Sequence, residues 1–256
     1  MKIIALGDVV GRAGRESLMG VLPGLRKRYE AELVIVNGEN SAEGNGISKN
    51  SASDLFSCGA DIITTGNHVF KRREISEELD KNVGIIRPAN MHPSASGVGN
   101  YLFEKMNFRA NVVNLMGEVY LDVYESPFSC MERILSENDS KIIIVDLHAE
   151  ATAEKIAFAR YFDGRASLVF GTHTHVQTAD ETILSGGTGY ITDIGMCGPI
   201  NSVIGVKTEL AVKKMITKLP VTFENADGPC KINGIFAEID NKTGKCVAIE
   251  RIALEK

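Results

Sequence analysis

Six short apolar runs rich in isoleucine and valine divide this chain: KIIAL (2–6), ELVIV (32–36), DIITT (61–65), KIIIV (141–145), SLVF (167–170) and GYITDI (189–194). Most are continuously apolar rather than alternating, and a strand that is apolar on both faces must be covered on both. Between and after them lie segments with helical spacing, RESLMGVLPGLRKRYE (15–30), SASDLFS (51–57), REISEELD (73–80) and ATAEKIAFARYF (151–162). The alternation predicts an α/β chain in which helices wrap a sheet.

FRANVVNLMG (108–117) reads as another strand. The tail segments LPVTF, CKINGIFAEID and CVAIERIAL read as hairpin-like strands around the turn NKTGK, forming a second sheet or an extension packed on the first. No linker, repeat or charge block cuts the 256 residues, so the expectation is one domain, 1–256.

Five of the runs lead into side chains able to bind metal. Asp8 follows Gly7; Glu39 and Asn40 follow Asn37-Gly38; Asn67 and His68 follow Gly66; His148 follows Asp146-Leu147; His173 and His175 follow Gly171-Thr172. In α/β proteins the carboxyl ends of parallel strands form the rim where ligands bind, so residues distant in sequence can converge there. His173 and His175 would aim at one spot if the strand continued through them, because residues i and i+2 share a face.

Each residue has an ordinary use of its own. Asp8 could cap a helix starting near Gly11, Asn40 and Asn67 could form turns, and His68 could be a satisfied surface histidine. Independent capping and turning do not require the same chemical type at the end of five strands, and that joint pattern favours metal. Even with His68 set aside, one Asp, one Glu, two Asn and three His exceed what one ion with an open coordination position needs, so two ions fit better. Oxygen and imidazole without thiolate suit iron or manganese, with zinc also compatible. Two ions a short distance apart are the usual equipment for in-line attack on a phosphate ester.

The remaining features narrow the field. A net charge of −5 argues against an extended surface for polymeric nucleic acid. Five scattered cysteines, odd in number and never spaced C-x-x-C, signal neither a disulfide framework nor a thiolate site. The N-terminal MKIIALGDVV lacks a signal-peptide core and no run reaches membrane-spanning length, so the chain reads as cytoplasmic, with a homo-oligomer left open. GRAGR (11–15) lacks the following GK[ST] of a phosphate loop. Glu43-Gly44-Asn45-Gly46 reads as a flexible loop at the site mouth, Lys71 to Arg73 as a solvated helix start, and His92 as a loop residue. Cys197, without an evident base, is not taken as a nucleophile.

The motif series GD (7–8), NGEN (37–40), GNH (66–68), DLHAEAT (146–152) and GTHTH (171–175) resembles that of the calcineurin-like metallophosphoesterases. More narrowly, GDVVGRAGR, NGENSAEGNGI, RPAN, DLHAEAT, DGRAS, GTHTHVQTAD and DIGMCGP are similar to the bacterial YmdB-like phosphodiesterases over nearly the whole chain. Two departures from the wider superfamily are shared with that subfamily: Asp8-Val9-Val10 lacks the usual histidine, and Glu39 replaces a bridging aspartate.

The resemblance implies a layered αββα sandwich, two mixed sheets flanked by helices. It also implies one ion on Asp8, Glu39, Asn40 and His175, a second on Glu39, Asn67, His148 and His173, and His68 protonating the leaving oxygen after attack by a bridging hydroxide. The implied substrates are 2′,3′-cyclic nucleotides opened to nucleoside 3′-phosphates, with weaker action on 3′,5′-cyclic AMP, or another small phosphodiester. A phosphomonoesterase or nucleotidase on the same centre, or a nucleotide-sensing regulator with little turnover, are the alternatives. The substrate-binding residues are not legible.

Overall fold

The computed structural model describes residues 1–43, 45–105 and 108–256. Its strands are β1 (Lys2–Leu6), β2 (Asp8–Val9), β3 (Leu33–Asn37), β4 (Ile62–Thr64), β5 (Asn100–Lys105), β6 (Phe108–Met116) and β7 (Ile143–His148). They continue with β8 (Leu168–Thr172), β9 (Thr182–Ile183), β10 (Gly189–Ile191), β11 (Met196–Pro199), β12 (Cys230–Ile239) and β13 (Cys246–Glu255). The helices are α1 (Gly11–Tyr29), α2 (Lys49–Ser57), α3 (Ile75–Asp80), α4 (Pro127–Glu137), α5 (Thr152–Tyr161) and α6 (Thr208–Thr217).

Successive residues of β1 enter different apolar layers, which is why its sequence does not alternate with polar residues. Ile4 and Leu6 pack with Val34, Val36, Leu18, Leu22 and Leu55 beneath α1 and α2. Ile3 and Ala5 face the other way and meet Ala110, Val112, Ile144, Leu168 and Phe170 of a second sheet. The far face of that sheet, Val113, Leu115, Val145 and Val169, is covered by Met131 and Ile134 of α4 and Phe158 of α5. The result is an αββα sandwich of two mixed sheets, as the family resemblance implied.

The first sheet runs β2-β11-β12-β1-β3-β4, with β13 paired to β12; the second runs β5-β6-β7-β8-β10-β9. β1, β3 and β4 are parallel and level, Leu6 beside Val36 and Val36 beside Ile63. β6, β7 and β8 are likewise parallel, with Met116, His148 and Thr172 in line. The carboxyl ends of both sets therefore form one rim.

Of the two alternatives for the tail the structure selects one, and one further expectation needs correction. The C-terminal hairpin extends the first sheet rather than forming a second, because β12 pairs antiparallel with β1 from Lys2↔Glu238 to Leu6↔Gly234. LPVTF (219–223) is irregular chain; its proline and its partly exposed side chains give it no apolar layer to fill. Among the described residues no helix is long and apolar enough to cross a membrane.

Candidate metal centre

Asp8 does not cap α1. The N-cap is Val10, without a side-chain cap, while Asp8 lies in β2 at 0% exposure and its Oδ2 accepts the backbone N–H of His173 at 3.1 Å. Glu39, in the turn after β3, is used in the same way: its Oε2 accepts the His68 N–H at 3.0 Å. Each carboxylate thus commits one oxygen to the backbone. The other faces the rim.

His173 and His175 do not continue the strand. β8 ends at Thr172, and the two histidines have φ of 99° and 65°, in the left-handed region that non-glycine residues enter at a cost. Groups from distant segments hold them there. Asp193 Oδ2 accepts the Thr174 N–H at 3.2 Å, and His175 Nδ1 donates to the Ile204 carbonyl at 2.9 Å. Lys155, in a helix but 1% exposed, donates to the Thr172 carbonyl at 2.9 Å and to Asp193 Oδ2 at 2.8 Å. A side chain on Gly171 would collide with Lys155 and the Thr192 carbonyl, so glycine is required where that clasp closes.

The hydrogen-bond network fixes which imidazole nitrogens are bare. Thr172 Oγ1 donates its one hydrogen to Asp146 Oδ1 at 2.7 Å, so it accepts from His148 Nδ1 at 2.9 Å. Asp146 is held in turn by Thr64 and Asn37, and burial pushes its carboxyl up to about 6. The lone pair of His148 Nε2 then meets Asn67 Oδ1 at 3.0 Å, His173 Nδ1 at 3.0 Å and Glu39 Oε1 at 3.3 Å. His173 Nε2 lies 2.9 Å from Glu150, which leaves its Nδ1 without a proton. Four acceptors converge, an arrangement that needs a cation or an extra proton between them. Gly66 sits against this point, where any side chain would strike His148 and Glu39.

A second convergence lies across Glu39. Asp8 Oδ1 is buried without a hydrogen-bond partner, and the bare Nε2 of His175 stands 3.6 Å away, beyond hydrogen-bond reach. Asn40 directs Nδ2 at Glu39 Oε1 (3.0 Å) and His175 Nε2 (3.2 Å), and Oδ1 at His68 Nδ1 (2.9 Å). A half-turn of that amide puts its oxygen among the acceptors and passes the His68 contact to Nδ2.

The charges agree with this reading. Burial disfavours ionised carboxylates, yet His148 and His68 hold Glu39 well below the ordinary range, and His175 with His148 hold Asp8 below it. At His148 burial opposes charge, but Glu39 and Asp8 outweigh it and push the imidazole up to about 9. His175 is raised for the same reason by Asp8. Two buried carboxylates therefore draw protons onto adjacent imidazoles, a compensation that metal ions provide instead. The donor set is all oxygen and nitrogen. It fits metal, and Glu39, His148 and His173 offer ligand atoms within 4.8 Å of one another.

All eight residues singled out in the sequence meet here, His68 included. Glu39, Asn40, His68, His173 and His175 border a cavity of about 710 Å³, whose other walls include Arg72, Ile204 and Phe223. Arg72 is thus more than a solvated helix start: its guanidinium binds the carbonyls of Glu43 and Asn45 at the mouth. Gly44 of that loop lies outside the described residues. GRAGR is no phosphate loop, since Arg15 turns to Asp54 and the Ser41 carbonyl. Cys197 is fully buried, its thiol pushed up to about 12 by that burial, which removes it as a nucleophile. His92 is a loop residue bonded to Ser94.

The sequence reading missed Thr172, Asp146, Lys155, Asp193 and Ile204. Lys155 alone left a signal, because it shares a helical face with Phe158, Ala159 and Phe162.

The family model described as YmdB-like protein matches residues 4–252. A 2′,3′-cyclic-nucleotide 2′-phosphodiesterase from Bacillus subtilis is 41% identical, over 99% of this chain and 97% of that protein. A hypothetical protein from Thermus thermophilus superposes with a TM-score of 0.95 at 37% identity, covering 100% of both chains. A structure described as a novel phosphatase from Mycoplasma pneumoniae superposes at 0.94 with 36% identity, covering 100% of this chain and 93% of the other.

Proposed function

This chain belongs to the YmdB-like family, and on that footing we propose that it is a metal-dependent phosphodiesterase opening 2′,3′-cyclic nucleotides to nucleoside 3′-phosphates. The Bacillus relative's name states that activity for that protein. The observation that carries the proposal here is the placement of Glu39 between two convergent acceptor sets, with His68 beside it and a cavity in front.

Asp8, Glu39, Asn40 and His175 would hold one ion, and Glu39, Asn67, His148 and His173 the other; iron or manganese suits these ligands best, and zinc also fits. Bound there, the pair supplies positive charge for the phosphate and lowers the pKa of an attacking water. The protein's own part is positioning and proton transfer. Opening the ring at the 2′ bond expels a ribose alkoxide, a poor leaving group, so a proton must arrive as the bond breaks. His68 lines the cavity with Nδ1 engaged by Asn40 and Glu39, which leaves Nε2 for the leaving oxygen. With its oxygen turned toward a bound ion, Asn40 would donate its amide N–H to His68 Nδ1, and Nε2 would then carry the hydrogen. One asparagine would serve ligation and set the tautomer of the acid. The buried Lys155–Asp193 pair keeps the His173–His175 turn in place.

A nucleotide panel with elemental analysis tests the proposal. Two ions per chain and fastest turnover of 2′,3′-cyclic nucleotides, yielding 3′-phosphates, are expected. Faster phosphate release from nucleoside monophosphates would make it a phosphomonoesterase. Binding without turnover would make it a sensor.

A further inference from the structure

The cavity at the candidate metal centre does not end at its polar floor. Ile204, Val206 and Phe223 belong to its wall and equally to an adjoining groove of about 430 Å³, completed by Val203, Ala211, Met215 and the stems of Lys214 and Lys218. The two spaces differ in chemistry. One holds carboxylates, amides and imidazoles; the other is built almost wholly of aliphatic and aromatic surface.

Resting on the phosphodiesterase reading above, we infer that this groove is the nucleobase subsite, with Phe223 the residue that selects substrates carrying a flat aromatic group. A nucleotide has the same polarity as the joined cavities, with an anionic ester at one end and an apolar, planar base at the other. Placing the ester at Glu39 and His68 lets the base extend along the apolar groove that shares Ile204, Val206 and Phe223 with that cavity. Phe223 stands at the junction, partly exposed, with the Lys214 ammonium 4.7 Å from its ring centroid. Stacking on such a ring favours any base and discriminates weakly among them. Asn225 lines the catalytic cavity on the same side, its amide packed against Gly11 at the start of α1. The segment that forms the groove also touches the centre directly, since the Ile204 carbonyl accepts His175 Nδ1.

The test compares Phe223→Ala, Phe223→Trp and the wild-type metal-loaded protein on 2′,3′-cyclic AMP and on glycerol 1,2-cyclic phosphate, which has the same ester ring and no base. For Phe223→Ala, KM for the nucleotide should rise about 5- to 150-fold, the range associated with losing one stacking contact. Its kcat and its kcat/KM on the glycerol ester should stay within about threefold, as for loss of uniform binding. Phe223→Trp should restore the low KM. Equilibrium dialysis of adenosine 3′-phosphate, which needs no turnover, should show the same loss of affinity. Equal effects on both esters, an unchanged KM and affinity for nucleotides, or a change in oligomeric mass with Phe223→Ala would overturn the assignment. Failure of the wild type on every diester would instead sink the phosphodiesterase reading, and the dialysis would still judge the subsite.

Discussion

His68 and Glu39 are neighbours whose proposed duties separate cleanly on substitution. If His68 only donates a proton, His68→Ala keeps both ions and loses about 10²- to 10⁴-fold in rate on esters with a ribose-oxygen leaving group. A p-nitrophenyl ester leaves without protonation, so the same variant should lose far less on it. Rates on the two substrates, with metal content measured alongside, decide the matter; equal losses or a missing ion would make His68 a ligand. Glu39 belongs to both acceptor sets through Oε1, 3.0 Å from Asn40 Nδ2 and 3.3 Å from His148 Nε2. Glu39→Gln should therefore lower metal content and abolish hydrolysis while the circular dichroism stays native. Full metal loading with unchanged activity would remove it from its bridging place.

At the scale of elements, the end of β8 is held by α5 and by the turn after β10. Lys155 and Asp193 are each 1% exposed at the side chain and 2.8 Å apart, and together they tie Thr172 and Thr174 on either side of His173. Removing one partner of such a pair leaves a buried charge uncompensated, which costs about 3–5 kcal/mol. Lys155→Met should destabilise by that order in denaturant unfolding and weaken metal binding, because His173 and His175 relax from their left-handed backbone. Adding Asp193→Asn removes the stranded charge, so the double variant should recover part of the stability. A double variant as unstable as the sum of the two single ones would show that the pair is not energetically linked.

At the scale of the whole molecule, the layer between the sheets draws on both: Ile3, Leu33 and Ile62 from one, Val112, Ile144 and Phe170 from the other. Neither sheet keeps both faces covered alone, and we propose on that ground that the chain unfolds as one unit. Calorimetry should give a single transition. Metal that binds only the folded state adds stability with its concentration, about 2.7 kcal/mol at a hundredfold excess over Kd. Chelation should accordingly lower Tm, by about 2–4 °C for each kcal/mol lost at this chain length. Two transitions would split the chain into independent units, and a Tm indifferent to chelator would argue that the ligand set holds no ion.

The strands and their polar ends were legible because both are local. An apolar run reports that its strand is covered on both faces, whatever covers it, and Asp8, Glu39, Asn67, His148 and His173 are conspicuous for standing where such runs stop. Lys155 left a trace in the spacing of its apolar neighbours, but one that the sequence reading did not take up. Sheet order was not. Lys2 pairs with Glu238, a contact between the two ends of the chain that no local pattern encodes. Nor could the sequence show that β8 ends at Thr172 and that both following histidines turn left-handed, because Asp8, Asp193 and Ile204 hold that conformation from distant segments. The same holds for the bare nitrogens: His148 Nε2 faces the centre because Thr172, committed to Asp146, accepts its Nδ1 proton. Residue type and spacing determined which groups could bind metal. Only the folded chain decided where their lone pairs point, since each is aimed by a hydrogen bond to a residue from another strand or loop.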